Sequence, residues 1–257
     1  MIAIRDLEVA FGDRVVARVP SLDLPPGEIV GLAGESGSGK SMTALAILGL
    51  ARHMGAHVRG SITLGDRDLV DLPERELRLI RGRRIAMVMQ SPRGALNPTL
   101  RLGTLFERTL ALHGVEKADR AARARAAFAE MRLDAELLRR YPHQVSGGQA
   151  QRFAIALAVA LRAELLLADE PTSALDVTVQ AEVVELLRRV RDEHGTAILF
   201  ISHDLAVIGE LADRVVVMRA GEVVETGGAR AVLAAPQEAY TRELIAAVPV
   251  IGGKRAA

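Results

Sequence analysis

Gly34-Glu35-Ser36-Gly37-Ser38-Gly39-Lys40-Ser41 fills every fixed position of the pattern G-x-x-x-x-G-K-[ST]. It follows the apolar run Ile29-Val30-Gly31-Leu32-Ala33 and precedes Met42-Thr43-Ala44-Leu45-Ala46-Ile47-Leu48. A strand, a glycine-rich loop and a helix in that order is the context in which this pattern cradles nucleotide phosphates. Glycine lets the backbone bend so that amide N–H groups and a helix N-terminus face the anion. Lys40 is then expected to reach the β/γ oxygens and Ser41 to ligate magnesium, so the expected ligand is a nucleotide triphosphate.

Composition bounds the rest. A chain of 257 residues with 49% hydrophobic content can bury a core as one large domain, or as a domain with a subdomain. Its 33 basic and 32 acidic residues give a net charge of +1, so no global field draws it to nucleic acid or to an anionic membrane. With no cysteine there is no disulfide framework, thiolate zinc site or iron–sulfur cluster. The start, Met1 to Val9, has acids at Asp6 and Glu8 and reads as a first strand rather than a signal peptide. The most apolar stretch, Phe153 to Ala168, is cut by Arg162 and Glu164, short of the roughly 20 apolar residues that span a bilayer.

Strand-like runs fill the first part: Ile2 to Val9, Arg14 to Val19, Ile29 to Ala33, Ser61 to Leu64 before the turn Gly65-Asp66, and Arg84 to Met89. From about Arg93 to Leu161 the pattern turns helical, with Ala121, Ala124, Phe128 and Met131 at helical spacing, and reads as an inserted helical subdomain. Leu165 to Ala168, a helix Val177 to His194, Ala197 to Ile201 and Arg214 to Met218 follow. Apolar strands alternating with helices imply a parallel sheet covered on both faces. Arg120, Arg123 and Arg125 form a basic helix face, but Asp119 and Glu130 interrupt it and no aromatics interleave, so it reads as solvated. Residues 251–257 read as a loose tail.

Leu165-Leu166-Leu167-Ala168-Asp169-Glu170 is an apolar strand ending in two acids, at the sheet edge where open α/β folds bind ligands. Asp169 suits magnesium. Glu170 suits a water, because hydrolysis of a γ-phosphoryl group needs a carboxylate that orients and polarises it.

Val145-Ser146-Gly147-Gly148-Gln149 resembles the L-S-G-G-Q signature of the ATP-binding-cassette ATPases, with Val for Leu, a short helical run before Asp169-Glu170. A serine and two glycines ahead of a helix form a second amide-lined cradle. The resemblance implies that Ser146, Gly147, Gly148 and Gln149 close over ATP held by an opposite subunit. It also likens Ser173-Ala174-Leu175-Asp176 to the loop joining the two sites, His203 to the switch histidine that donates to the γ-phosphate, and Gln90 to the glutamine that reaches magnesium and the water. Phe11, followed by Gly12, sits where the family stacks an aromatic on adenine. The implied fold is α/β: a phosphate-loop NTPase core over 1–92 and 162–250 with a mixed or parallel sheet, an N-terminal antiparallel β-subdomain and an α-helical subdomain over 93–161.

Gln90-Ser91-Pro92-Arg93-Gly94-Ala95-Leu96-Asn97-Pro98 resembles one branch, the bacterial importers of peptides, nickel and opine-like metal chelates. Tyr141 to Gln144, Ala174 to Gln180 and Pro236-Gln237-Glu238-Ala239-Tyr240-Thr241-Arg242 point the same way. Many members continue into a cysteine-bearing extension that this sequence lacks, which is more like the nickel and chelate subunits. The resemblance implies ATP and Mg2+ as cofactors. Its implied partners are a second, usually non-identical ATPase subunit, two membrane permease subunits and an extracytoplasmic substrate-binding protein, with the chain peripheral on the cytoplasmic face of the cell membrane. A cassette ATPase acting on DNA or ribosomes is the alternative, against which stands the lack of sustained heptads and of a repeat. A phosphate-loop kinase or GTPase fits less well, given the second cradle and the absent guanine-reading motifs.

Overall fold

A computed structural model describes residues 1–173 and 175–247. Ala174, within the Ser173–Asp176 stretch, lies outside the described residues, as do 248–257 with the expected tail and the end of the expected core.

In chain order, β1 (Ile2–Phe11) and β2 (Arg14–Leu24) lead into β3 (Ile29–Ala33) and α1 (Lys40–Ile47). β4 (His57–Leu64), β5 (Arg67–Asp68) and α2 (Glu74–Ile80) precede β6 (Ile85–Val88), and α3 (Pro92–Ala95), α4 (Leu102–Leu112), α5 (Lys117–Glu130) and α6 (Gly147–Leu161) follow. Next come β7 (Leu165–Asp169), α7 (Val177–His194), β8 (Ala197–Ser202) and α8 (Leu205–Leu211). β9 (Arg214–Arg219), β10 (Glu222–Gly228), α9 (Ala229–Ala234) and α10 (Ala239–Ala246) complete the described chain. Among the described residues no helix is long and apolar enough to cross a membrane.

The chain divides into two compact units, one made of Met1–Arg78 with the chain from Ala197 onward, the other of Leu79–Thr196. In the first, the strand order is β5-β4-β1-β2-β10-β9-β3-β8. β3 runs parallel to both β8 and β9. All five residues of β3 and all six of β8 are buried, as expected of parallel strands covered on both faces. The opposite end is antiparallel, with β1 between β2 and β4. β1 buries Ile2 and Ile4 and then Leu7 and Val9, a change of phase. The register against β4 shifts between Arg5 and Glu8, where Asp6 adopts φ 49, and this bulge turns Leu7 back toward the core. β2 extends past Pro20 to Leu24, beyond the expected end at Val19. It pairs with β10 only through Arg18, so the missing N–H of Pro20 interrupts no ladder on that side.

In the second unit β6 and β7 pair in parallel, Ile85 with Leu165 through Val88 with Ala168. Arg84 precedes this pair and grips Glu164 with two hydrogen bonds of 2.7 and 3.0 Å, which hold the Glu164 carboxyl below its ordinary value against the opposing effect of burial. The helices pack around Phe106, Phe128 and Phe153, three mutually edge-on rings with centroids 5.5, 5.7 and 6.1 Å apart. Each such pair adds about 0.5–1.5 kcal/mol beyond area burial. On α5 the inward stripe is Ala127, Phe128 and the following Met131, while Ala121 is exposed. Only the C-terminal half of α5 meets the aromatic cluster, so the full-length stripe expected from spacing is shortened. Two of its arginines turn back to main-chain carbonyls, Arg120 to Val115 and Arg123 to Ala160.

Candidate nucleotide site

The first unit carries the phosphate loop. β3 ends at Ala33, and α1 begins at Lys40 with Gly39 before it at φ 100. Gly34, at φ 146, lies so close to β9 that an added Cβ would sit 2.2 Å from the Met218 carbonyl oxygen; at Gly39 it would sit 2.6 Å from that of Val16. Both positions therefore require glycine, for backbone conformation and for space. Lys40 is only 4% exposed, and its Nζ donates to the carbonyls of Gly34 and Glu35, both at 2.7 Å, and to Ser38 Oγ at 3.3 Å. The Ser38 amide closes a turn onto the Glu35 carbonyl at 3.2 Å. The loop is thus wound around a buried ammonium with the N-terminus of α1 at its end and Gly37 (φ 82) exposed at its tip. Fixed positive charge and a helix N-terminus together suit phosphate oxygens. Ser41, exposed on the first turn of α1, presents a hydroxyl oxygen of the kind magnesium takes.

His203 belongs to the same unit. β8 pairs with β3 so that Ser202 lies opposite Ala33, and His203 and Gly34 are the next residues of those adjacent parallel strands. His203 is exposed there, and the turn behind it is fixed by Asp204, which receives the amides of Ala206 and Val207 and donates its own amide to Ser202 Oγ. Phe11 is half-buried at the end of β1, before the Gly12-Asp13 turn.

The second unit carries the acids and the second cradle. Asp169 is the last residue of β7, and Glu170 follows at φ 46, a left-handed conformation that costs a non-glycine residue about 1–3 kcal/mol and recurs at functional sites. Ser173 Oγ donates to the Glu170 carbonyl at 3.1 Å, and Gln90 Nε2 donates to Ser173 Oγ at 3.2 Å. Because Val88 pairs with Ala168, Gln90 and the Asp169-Glu170 pair leave their strands at the same carboxyl edge.

Ser146 caps α6: its Oγ accepts from the Gln149 amide at 3.2 Å while Gln149 Oε1 accepts from the Ser146 amide at 3.0 Å. The pattern S-x-x-Q was a visible signal for this reciprocal cap. It commits both the side chain and the main-chain N–H of Gln149 to the cap of its own helix. Gly147 is exposed there; Gly148 is buried against α7, where an added Cβ would lie 2.5 Å from Val179 Cγ1. Asp176 caps α7 through the Val179 amide at 3.0 Å. Beside the signature helix a cavity of about 340 Å³ is lined by Gln90, Pro92, Arg93, Gly147, Gln151 and Leu175. Gln151 is 2% exposed and its Nε2 has no hydrogen-bond partner among the described residues.

A family model described as ABC transporter matches residues 18–173. The chain is 46% identical over 260 residues to the peptidoglycan transport ATP-binding protein YejF of Agrobacterium fabrum, covering 97% of this chain and 47% of that protein. It is 42% identical over 251 residues to the dipeptide transport ATP-binding protein DppD of Escherichia coli, covering 95% of this chain and 76% of that one. The chain thus spans about half the length of the first of these relatives. Among solved structures, a dimeric post-hydrolysis state of the ATP-binding cassette MJ0796 bound to ADP and Pi superposes with a TM-score of 0.78 at 28% identity, over 90% of this chain and 99% of that one. A phosphate loop between β3 and α1, an acidic pair at the end of β7, a signature helix between them in sequence and this superposition agree: the chain belongs to the ATP-binding-cassette transporter family.

Proposed function

We propose that the chain is an ATP-binding and ATP-hydrolysing subunit of a bacterial importer, coupling hydrolysis to uptake of a peptide-like solute. The observation that carries this is the loop from Gly34 to Ser41 wound around the buried Lys40 ammonium at the start of α1. In this reading the loop, with Glu35, Ser36, Gly37, Ser38 and Gly39, holds the β- and γ-phosphates, and Phe11 stacks on adenine. Ser41, Asp169 and Gln90 offer the oxygen ligands that magnesium prefers. Magnesium, when bound, neutralises charge on the phosphate oxygens. Glu170 accepts a proton from the attacking water, and His203 donates to the γ-phosphate.

Ser146, Gly147, Gly148 and Gln149, with Asp176, act on ATP held by a second cassette, so one chain contributes half of each catalytic centre. The dimeric state of the MJ0796 cassette supports that arrangement. The names of the relatives, peptidoglycan and dipeptide transport, favour peptide-like cargo over nickel or a metal chelate. The cavity beside Gln90 and Arg93, with the unpartnered Gln151 amide in its lining, is where a membrane permease subunit docks in this reading, the chain lying on the cytoplasmic face of the membrane. A second, non-identical ATPase subunit and an extracytoplasmic binding protein complete the importer.

Fractionation tests the transport part. Co-expressed with its permease subunits the chain should sediment with membranes, and without them it should stay in the supernatant. The same distribution in both cases would argue for the DNA- or ribosome-directed reading.

A further inference from the structure

The motif Pro236 to Arg242 marks the importer branch in sequence, yet the nucleotide chemistry described above gives it no work. In the structure it reaches the phosphate loop. The Glu35 amide donates to the Tyr240 hydroxyl at 3.1 Å, while the Glu35 carbonyl accepts from Lys40 Nζ at 2.7 Å and from the Ser38 amide at 3.2 Å. Glu35 is therefore pinned on both sides, by Tyr240 through its N–H and by the lysine and the loop turn through its C=O.

Tyr240 is itself held firmly. It is 5% exposed, and the Arg219 guanidinium lies 4.8 Å from its ring centroid. Arg219 follows Met218, whose carbonyl closes against Gly34, so one end of β9 touches both the first loop glycine and the tyrosine that supports its neighbour. α10, which carries Tyr240, is tied to β10: Glu225 accepts from the amides of Gln237 at 2.8 Å and Glu238 at 3.2 Å. Arg242 closes the segment on itself by donating to the carbonyls of Pro236 at 3.0 Å and Gln237 at 2.8 Å. These contacts form a continuous line from β10 through α10 to the second residue of the loop.

We propose that Tyr240 is a positioning residue for nucleotide binding: its hydroxyl fixes the Gly34–Glu35 peptide so that the loop amides stand ready for phosphate. This rests on the nucleotide reading of the loop given above. An accepting hydroxyl on Glu35 N–H removes one rotational freedom that ATP would otherwise have to freeze, and preorganisation of that kind is read as affinity. Tyr240 touches no phosphate in this account, and acts through Glu35 alone.

The test compares the parent chain, Tyr240→Phe, Glu225→Gln, the double variant and Lys40→Ala in equilibrium titration with a fluorescent ATP analogue and Mg2+, with phosphate release and thermal midpoints without added nucleotide measured alongside. Tyr240→Phe keeps the ring and removes only the acceptor, so affinity should weaken about three- to tenfold, the worth of one neutral hydrogen bond. Turnover at saturating ATP should stay within about twofold, because bound nucleotide then orders the loop itself. Glu225→Gln should weaken affinity by a smaller factor with Tyr240 present and add nothing in the Tyr240→Phe background, since both act along one line. Parent-like affinity in Tyr240→Phe, with Lys40→Ala weakened, would overturn the positioning role and leave the nucleotide site standing. Affinity and saturating turnover falling together with a lowered thermal midpoint would show a merely structural tyrosine and also overturn it. No ATP binding by the parent or any variant would overturn the nucleotide reading and this proposal with it.

Discussion

Replacing Lys40 with alanine should expose two separate roles of one side chain. Its ammonium makes two bonds of 2.7 Å to the Gly34 and Glu35 carbonyls and a longer one of 3.3 Å to Ser38 Oγ. Hydrogen bonds from a charged donor contribute about 1.5–3 kcal/mol each. The two short ones are opposed by the cost of burying an ammonium, several kcal/mol that the substitution relieves. The expected net loss is about 2 kcal/mol, which in a chain of this size lowers the thermal midpoint by roughly 4–8 °C. Loss of the charge facing the β/γ oxygens should separately weaken ATP by about 3 kcal/mol, roughly a hundredfold. Scanning fluorimetry with and without Mg-ATP separates the two. At ATP a hundredfold above Kd the parent gains about 2.7 kcal/mol of stability, and Lys40→Ala should gain well under 1 kcal/mol. A variant with the parent's midpoint and the parent's ATP-induced rise would refute a loop organised around Lys40.

Four further outcomes follow from the same geometry. Ser146→Arg puts a bulky cation at the α6 start while leaving this chain's own loop intact, so it should bind ATP like the parent but lose concentration-dependent turnover; normal turnover per chain, independent of concentration, would make the second cradle structural. Gly148→Ala drives a Cβ to 2.5 Å from Val179 Cγ1, so urea unfolding should show a loss of about 1–3 kcal/mol as α6 and α7 separate; an unchanged urea midpoint would contradict that packing. Phe106→Ala opens the three-ring cluster and should cost about 3–5 kcal/mol by the same assay. Glu164 has a folded-state pKa below its ordinary value because of Arg84, so their ion pair stabilises above the ordinary carboxylate value, about 4.3, and is lost as pH falls through the folded value. Glu164→Gln should then be less stable than the parent at pH 7, with the gap closing in acid; a gap constant with pH would place its origin elsewhere.

Local chemistry made most of the core legible. The loop, the buried strand Ile29–Ala33 before it and the helix Val177–His194 follow from residue types and short periodicity, and each is where those signals put it. Features that depend on distant partners were not legible. β2 continues through Pro20 because its neighbour β10 pairs only at Arg18, a fact no window around Pro20 contains. β10 itself, Glu222–Gly228, is largely half-exposed and carries neither alternation nor an apolar run. At the site, Gln149 resembles a nucleotide contact by motif, while its side chain serves the cap of α6. Tyr240 stands in the motif Pro236 to Arg242, but its bearing on Glu35 spans 205 residues and appears only when β9, β10 and α10 are folded together.

Phosphate release from the purified chain beside Glu170→Gln tests whether this chain hydrolyses ATP through a carboxylate at the end of β7. Glu170 sits at φ 46 immediately after β7, and the substitution keeps its shape while removing the carboxylate. Mg-dependent release by the parent should rise per chain with concentration or with a partner cassette. Glu170→Gln should bind ATP as well as the parent and release phosphate at least roughly a hundredfold more slowly, about 2.7 kcal/mol of barrier. Turnover by Glu170→Gln within about threefold of the parent, a difference under 1 kcal/mol, would contradict hydrolysis through that carboxylate.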